Sequence, residues 1–281
     1  PRLRAQGHEV LRAVRRQTER ADEVYWNPEE GSVDASRLAG LDAAVHLAGE
    51  NVAERWTEEK KRRIRESRVR GTRLLSETLA RLEPKPRVLV AASAIGIYGN
   101  RGALVLTEES SYGDDFLADV CREWEAATAP AAESGIRVVN LRIGIVLSTR
   151  GGALAKMLTP FQFGVAGKVG NGKQYMSWIA LDDVVGIIIY ALENESLRGP
   201  VNTVAPNPAT NLEFTKTLGR VIKRPTIFPI PAFALKLAFG AEMAEGTLLS
   251  SARIQPERLQ AAGYEFQYPT LEGALRHVLK E

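Results

Sequence analysis

Long apolar runs without polar alternation recur along the chain, and each ends in small residues. Residues 86–99 read PRVLVAASAIGIYG, and residues 41–49 and 136–146 repeat the pattern. Such a run is typical of a strand buried on both faces, because a strand with one wet face alternates apolar with polar residues. A shorter run over 7–14 follows a helical fragment at 1–6. We therefore predict four strands of a parallel sheet.

Segments of helical length separate these runs. Between Trp56 and Leu82 the apolar residues recur at spacings of three and four, and Pro84 closes the helix. Strands that alternate with helices indicate βαβ units and predict an α/β fold with a Rossmann-like, doubly wound parallel sheet. Ligands bind such sheets beyond the carboxyl ends of the strands, so Ser93 and Tyr98 are candidate site residues.

A doubly wound dinucleotide fold has a further strand, a glycine-rich phosphate loop and half a helix ahead of the position of Pro1, about twenty residues in all. We expect this strand and loop to be missing. Either they lie outside this sequence or the protein never had them. The pyrophosphate site would then lack its main wall.

The chain changes character after Leu147, where glycine pairs and turns become frequent. We predict a smaller carboxyl-terminal substrate lobe beside the Rossmann-like domain. Within this lobe, Phe233, Leu235, Leu237 and Phe239 predict an apolar helix face that closes a core or contacts a partner, and a core is favoured. The predicted domain is 1–150, completed by about 178–205, and the predicted lobe is 151–177 with 206–281.

Composition narrows the classes of function. The 281 residues are 44% hydrophobic and 25% charged, which is ordinary for a globular protein with a sizeable core. The net charge of +3 is too small to indicate a nucleic-acid or membrane-surface partner, and no run is long enough to span a bilayer. The single cysteine, Cys121, excludes an internal disulfide and fits the reducing cytoplasm. The three histidines are scattered, so we expect no metal site.

A cluster of basic side chains lies between Lys60 and Arg73, on the polar face of a predicted helix. A nucleic-acid site is one interpretation, and it predicts binding with a steep salt dependence. Aromatic residues are not interleaved, however, and nearby glutamates such as Glu58 and Glu66 dilute the charge. A solvated helix face is favoured, and no nucleic-acid partner is expected.

Two arginines, Arg15 and Arg16, follow the strand predicted over 7–14, and the first carboxylate after them is Glu19. In dinucleotide folds an acid at this position binds the ribose hydroxyls of NAD(H), whereas an arginine pairs with the 2′-phosphate of NADP(H). If a dinucleotide binds, the sequence favours NADP(H). The alternative is that both arginines simply face water.

Several motifs resemble those of the extended short-chain dehydrogenases/reductases, the group of nucleotide-sugar epimerases and their relatives. They are HLAG at 46–49, VRGTRLL at 69–75, SAIGIYG at 93–99 and LRIGIVL at 141–147. The longer segments GNGKQYMSWIALDDV at 170–184 and NTVAPNPATNLEFTKTLG from Asn202 are similar to the epimerase-like subfamily of SDR39U1-type and YfcH-type proteins. The resemblance covers essentially the whole chain.

This resemblance implies a domain that binds NADP(H) beneath a substrate lobe. It places Arg15 at the adenosine phosphate and Val146 beside the nicotinamide half, and it makes Ser93 the active-site hydroxyl. Arg68 stands where related enzymes have an asparagine, within reach of a cofactor phosphate. The cofactor-binding residues that the resemblance implies are Arg15, Leu47, Ala48, Gly49, Arg68 and Val146.

The chain departs from the superfamily at the catalytic pair, a tyrosine four residues before a lysine that lowers the pKa of the phenol. Leu117 and Cys121 stand at these positions. Ser93 and Tyr98 are the catalytic candidates that are left. Two functions stay open: an NADP(H)-dependent oxidoreductase or epimerase acting on a small polar substrate, and a non-catalytic NADP(H)-binding redox sensor or scaffold. We expect a monomer or homodimer.

Overall fold

Between residues 43 and 143 the strands of the apolar pattern alternate with helices, as predicted, whereas residues 15–42 form two further strands that the pattern did not predict. The computed structural model describes residues 1–280. The strands of the first half of the chain are β1 (Arg12–Val14), β2 (Glu23–Asn27), β3 (Ser32–Val33), β4 (Ala43–His46), β5 (Val88–Ala94), β6 (Val105–Leu106), β7 (Arg137–Ile143) and β8 (Ile145–Leu147). The helices are α1 (Arg2–Ala5), α2 (Glu58–Ala80), α3 (Phe116–Ala126) and α4 (Ala129–Glu133).

The second half is richer in helices. Its strands are β9 (Tyr175–Met176), β10 (Trp178–Ala180), β11 (Gly199–Thr203), β12 (Ala209–Thr210) and β13 (Arg253–Ile254). Its helices are α5 (Gly152–Gln162), α6 (Leu181–Glu193), α7 (Asn211–Ile222), α8 (Ala232–Phe239), α9 (Ala241–Met243), α10 (Glu257–Ala261) and α11 (Leu271–Val278), and a π-helical turn spans Ala244–Leu248.

A parallel sheet with the order β11-β7-β5-β4 forms the centre of the fold. In β5, Leu89 and Val90 are both 0% exposed although neighbouring residues of a strand point to opposite faces. Leu89 packs in one apolar cluster with Leu79 of α2, and Val90 packs in another with Ile187 of α6. The prediction of an α/β fold whose strands are covered on both faces is confirmed for β5.

A groove separates this sheet from a second one with the order β1-β2-β3. Among residues 1–280, β1 and β4 each pair on one side only, and a cavity of about 320 Å³ between them is lined from both edges. In the described part of the chain, Val45 of β4 lines this groove and is 37% exposed, and Leu47 beyond it is 53% exposed, so the predicted burial on both faces is not found at Val45.

Basic side chains of helix α2 form ion pairs with nearby carboxylates, so the helix does not present an open charged face. Thr57 caps its first turn by accepting the backbone N–H of Lys60, and Ile64 on its apolar side is 0% exposed. The Lys60 ammonium lies 2.7 Å from the Glu50 carboxylate, and Lys61 lies 3.1 Å from Glu242 in the second lobe. These ion pairs support the interpretation that the basic cluster between Lys60 and Arg73 has a structural role and is not a nucleic-acid site.

The second lobe has its own apolar core, in which Trp178, Phe214 and Leu275 are buried. The predicted core role of α8 was wrong for most of its apolar residues. Leu235 is buried, but Phe233 is 72% exposed and Leu237 79%, because only one side of this short helix meets the lobe. Residues two apart on an α-helix point to nearly opposite sides, so Phe233 and Leu237 cannot share the buried face of Leu235.

Residues after α5 return to the first half of the fold. Strand β11 extends the central sheet beside β7, whereas β10 pairs with β8 outside that sheet.

No helix within residues 1–280 is long and apolar enough to cross a membrane. The same residues contain no group of three histidine, cysteine, aspartate or glutamate side chains that could hold a metal ion.

Candidate functional site

Ser93 and Arg142 are neighbours on β5 and β7 at the carboxyl end of the central sheet. The Ser93 hydroxyl donates to Glu125 Oε1 over 2.7 Å. Arg142 donates from Nε and Nη2 to the two carboxylate oxygens of Glu125, over 2.8 and 2.9 Å. The Arg142 side chain is 1% exposed, so this two-pronged pair neutralises a charge that water does not reach.

Tyr98 extends the same network. Its hydroxyl accepts a hydrogen bond from Arg142 Nη1 over 2.9 Å and donates to Asn202 Oδ1 over 2.6 Å. The side chain is 0% exposed. Burial raises the pKa of Tyr98 to about 12, although the Arg142 cation and both hydrogen bonds act to lower it. The phenol therefore stays protonated at neutral pH.

The structure brings the two predicted hydroxyls into one network, but both are buried in it. The half-buried residues at the end of β5 are Ala94, Ile95 and Gly96, which carry no polar side chain. Sequence reasoning missed Glu125 and Arg142, although each had a signal. Arg142 is a charged residue inside an apolar run. Glu125 lies in the last turn of a helix whose apolar side must face that run.

The helix α3 presents no acid or base at the usual catalytic positions. A Cβ added to Gly96 would lie 3.3 Å from Leu117 Cβ and 3.9 Å from Cys121 Sγ, so these side chains pack directly on the turn after β5. Burial raises the pKa of the Cys121 thiol to about 12. Cys121 is thus a small core residue here, and it is unsuited to proton transfer at neutral pH.

The exit of β4 has small residues that let a ligand approach the backbone closely. Leu47 is exposed, and Ala48 and Gly49 follow it. A Cβ at Gly49 would lie 3.2 Å from the Arg68 guanidinium, so the glycine lets this cation sit against the backbone. Residues 47–49 and the Arg68 side chain therefore lie together at the carboxyl end of β4.

Arg68 is the most unusual cation of this region. Its guanidinium lies 4.9 Å from the centre of the Trp124 ring and donates to the Ile64 carbonyl over 3.1 Å. Within the described part of the chain no carboxylate lies within ion-pair distance of it, and burial lowers its pKa. A half-buried cation without a counter-ion is suited to an anionic ligand.

Arg15 and Val146 also lie at carboxyl ends of parallel strands. Arg15 follows β1 and is exposed, with only a long contact of 3.8 Å to the exposed Glu29, a pair of the kind that contributes little to stability. Its neighbour Arg16 is held at 2.7 Å by the buried Glu23. Val146 is half-buried in β8, just beyond β7. Of the two arginines, Arg15 is thus the one available to a ligand.

The loop over residues 50–57 joins this region to the second lobe. The Trp56 ring meets Phe116 edge-on at 5.1 Å, and a Cβ at Gly246 would lie 3.2 Å from Trp56. Lys156 of α5 donates to the Ala53 carbonyl. The loop therefore contacts both lobes.

Comparisons with known proteins agree with this geometry. Residues 1–204 match the NAD dependent epimerase/dehydratase family, and residues 230–278 match a domain of unknown function, DUF1731. An epimerase family protein of Mycobacterium leprae is 42% identical over 276 residues, which cover 98% of this chain and 89% of that protein.

Solved structures of epimerase family proteins also resemble this chain. The crystal structure of the human epimerase family protein SDR39U1 with NADPH superimposes with a TM-score of 0.90 at 34% identity, covering 99% of this chain and 93% of that one. A nucleoside-diphosphate sugar epimerase from Corynebacterium glutamicum is 38% identical with a TM-score of 0.80, covering 99% of this chain and 54% of that one.

Proposed function

The chain belongs to the NAD dependent epimerase/dehydratase family, and from this premise we propose that it binds NADP(H) and acts as an oxidoreductase or epimerase on a small polar substrate. The observation that carries the proposal is the half-buried Arg68 guanidinium against Gly49 at a strand exit, which has no carboxylate within ion-pair distance among residues 1–280. The relative with a TM-score of 0.90 was crystallised with NADPH, which supports the choice of cofactor.

Each residue of the strand ends has a proposed task in binding. Arg15 pairs with the 2′-phosphate, for which a guanidinium has matching geometry. Arg68 neutralises another phosphate of the cofactor, and the backbone of 47–49 lies along it. Val146 provides an apolar contact for the nicotinamide half. The bound cofactor supplies the hydride, and the protein supplies orientation and charge.

Ser93 and Tyr98 remain our catalytic candidates. Both hydroxyls are oriented by the Glu125–Arg142 pair, which also keeps the surrounding charges balanced. Contact with a substrate requires the turn Ile95–Tyr98 or helix α3 to move, because both hydroxyls are buried as they stand. A carboxylate next to Ser93 provides a proton acceptor in the same network.

A second candidate function is a non-catalytic NADP(H)-binding sensor or scaffold. The specific observation in its favour is that Leu117 and the buried Cys121 fill the positions of the usual tyrosine and lysine. Under this alternative the Glu125–Arg142 network has a structural role only. Cofactor binding is common to both candidates, and turnover separates them.

Calorimetric titration of the full-length protein with NADPH and NADH tests cofactor binding. We expect NADPH to bind at least about tenfold more tightly, since a charge-assisted contact to the 2′-phosphate contributes about 1.5–3 kcal/mol. Arg15→Gln should remove this preference and leave NADH binding unchanged, whereas Arg68→Gln should weaken both cofactors. The control, Arg62→Gln, removes an exposed charge from α2. Equal affinity of the wild type for both cofactors would contradict the proposal.

Oxidation of NADPH in the presence of small carbonyl compounds tests catalysis. We expect turnover by the wild type and a loss of about a hundredfold in Ser93→Ala, with Ser36→Ala as an exposed control. Binding of NADPH without turnover, together with unchanged affinity in Ser93→Ala, would favour the scaffold function.

The remaining expectations stay proposals. We treat 1–150 with about 178–205 as the cofactor domain, and 151–177 with 206–281 as the substrate lobe. The ion-paired α2 supports the absence of a nucleic-acid role. A reducing compartment such as the cytoplasm suits the buried, unpaired Cys121. A monomer or homodimer is the expected assembly.

A further inference from the structure

Four large apolar side chains of the second lobe remain exposed. Phe163 and Val165 follow α5, Ile227 and Phe228 follow α7, and each of the four is between 53% and 77% exposed. Since an aromatic side chain has about 150–250 Å² of surface, the four together expose on the order of 450 Å². A patch of this size equals the largest on a typical monomer and is often functional. We call these four residues the apolar tip.

Backbone contacts bring the two pairs of the apolar tip together. The Arg224 Nε donates to the Gln162 carbonyl over 2.9 Å, directly beside Phe163. A Cβ added to Gly167 would lie 2.3 Å from the Phe228 carbonyl oxygen. The segment after α5 and the segment after α7 therefore lie against each other at both ends, and the tip is one surface.

Helix α8 adds to this apolar surface. Phe233 and Leu237 are one turn apart on its outer face, opposite the buried Leu235. Phe233 is five residues beyond Phe228, and five residues of chain span at most about 18 Å. Residues 225–239 include only one charged side chain. The exposed apolar residues of α8 therefore lie close to the apolar tip.

Three cations flank the apolar tip. The Lys216 ammonium donates to the Thr226 carbonyl over 3.3 Å, next to Ile227. Lys223 and Arg224 are exposed and lie at the start of the segment that contains Ile227. Among residues 1–280, no carboxylate lies within 4.0 Å of any of these three cations.

Carboxylates of the same region are already occupied. Glu213 closes the capping box at the start of α7, Glu272 lies 2.9 Å from Arg220, and Glu245 pairs with the one cation of α8. The charge left over beside the apolar tip is therefore positive. The net charge of +3 does not reveal this local excess, because it sums paired and unpaired charges over the whole chain.

We propose that the apolar tip, together with the outer face of α8, binds the surface of an anionic lipid bilayer. Apolar side chains enter the interface, and Lys216, Lys223 and Arg224 pair with headgroup phosphates. Side chains that are more than half exposed project outwards, and a fluid interface accepts them without a matching groove. A second copy of the chain is disfavoured, because it would bring the same unpaired cations to the contact. The proposal does not depend on the cofactor chemistry.

Cosedimentation with lipid vesicles tests this contact. The protein is mixed with phosphatidylcholine vesicles that contain about 30% phosphatidylglycerol, and separately with vesicles of phosphatidylcholine alone. We expect saturable binding to the anionic vesicles at about 0.05 M salt and release at about 0.5 M, because salt screens the charges. Binding to the neutral vesicles should be at least about fivefold weaker.

Two double variants separate the apolar part of the contact from the charged part. Phe163→Ser with Ile227→Ser removes two apolar side chains, and Lys216→Gln with Lys223→Asn removes two charges. Asparagine suits position 223, where φ is 55°. All four positions are exposed, so the variants do not burden folding. Each double variant should lower partitioning onto the anionic vesicles at least about tenfold.

Matched controls come from the first lobe. Leu104→Ser removes an exposed apolar side chain and Arg62→Gln an exposed cation, and each should stay within about twofold of the wild type. No binding to anionic vesicles, equal binding to neutral ones, or full binding by both double variants would overturn the proposal. A wild-type dimer in analytical ultracentrifugation that Phe163→Ser with Ile227→Ser dissociates would also overturn it, since the tip would then join two copies.

Discussion

Arg142 is one of the largest side chains that this fold buries completely, and its charge is balanced by two hydrogen bonds to Glu125. Such a pair is weak evidence for stability, because taking both charges out of water costs about as much as their attraction returns. The Glu125–Arg142 pair does fix the positions of the side chains that it contacts. Ser93 and Tyr98 are held by opposite ends of the pair, so the positions of both candidate hydroxyls depend on it.

His46 makes stability depend on pH. Its side chain is 5% exposed, and burial lowers its pKa to about 4. The unfolded chain takes up this proton near pH 6.5, so between these values the unfolded state binds more protons than the folded state. Stability from this group is therefore complete above about pH 6.5 and is lost as the pH falls towards 4.

We expect the free energy of unfolding of the wild type to fall by about 2 kcal/mol between pH 7 and pH 5 through His46 alone. Urea unfolding at the two pH values measures it. His46→Gln should remove this part of the slope, while His8→Gln, at an exposed position, should retain it. An unchanged slope in His46→Gln would show that the histidine is accessible in the native state.

At the scale of elements, the junction of β7 and β8 directs the chain from the central sheet towards the second lobe. Strand β7 pairs with β5 and β11, and after Gly144 strand β8 pairs with β10. The Gly144 N–H donates to the Thr203 carbonyl, and the next N–H donates to Ser177. Two neighbouring segments therefore approach the backbone at this residue.

Gly144→Ala should destabilise the protein by about 3 kcal/mol, the upper end of what overpacking usually costs. The added Cβ would lie 2.5 Å from the Ser177 carbonyl oxygen and 2.7 Å from Val204 Cγ1. Chemical denaturation compares it with Gly151→Ala, where nothing lies within 4 Å of the added carbon. Equal stability of the two variants would mean that the junction relaxes freely.

For the whole molecule, the loop over 50–57 couples the lobes. It is anchored by Trp56 against Phe116 of the first lobe and against Gly246 of the second, and by the Lys156 ammonium on the Ala53 carbonyl. The loop is short and has no helix or strand of its own, so its local opening requires less free energy than global unfolding.

Trp56→Ala should increase the rate of tryptic cleavage after Arg55 about tenfold, since the anchor of the loop is lost. Limited proteolysis followed by mass spectrometry measures the rate. Trp56→Phe retains an aromatic contact with Phe116 and should stay within about twofold of the wild type. Equal cleavage of all three proteins would place the anchor elsewhere in the loop.

Prediction from sequence succeeded where the signal is local. The run VLVAASA gave β5, and the stripe between Trp56 and Leu82 gave α2, because burial on both faces or on one helical face leaves a direct pattern. It failed at Val45 and at α8, where exposure depends on a neighbouring groove or on how a short helix sits. The polarity pattern of a segment shows which of its residues are apolar, but it does not show which other segments those residues contact.

The sequence by itself determined the parallel α/β class and the strand exits at Gly49 and Ser93, because these are properties of residues close together along the chain. The family resemblance placed Leu117 and Cys121 at the positions of the usual tyrosine and lysine. Only the tertiary structure decided that Ser93, Glu125, Arg142 and Tyr98 form one buried network and that Arg68 has no counter-ion among the residues the structure describes. Hydrogen bonds and ion pairs between residues tens of positions apart depend on distances that no local periodicity specifies.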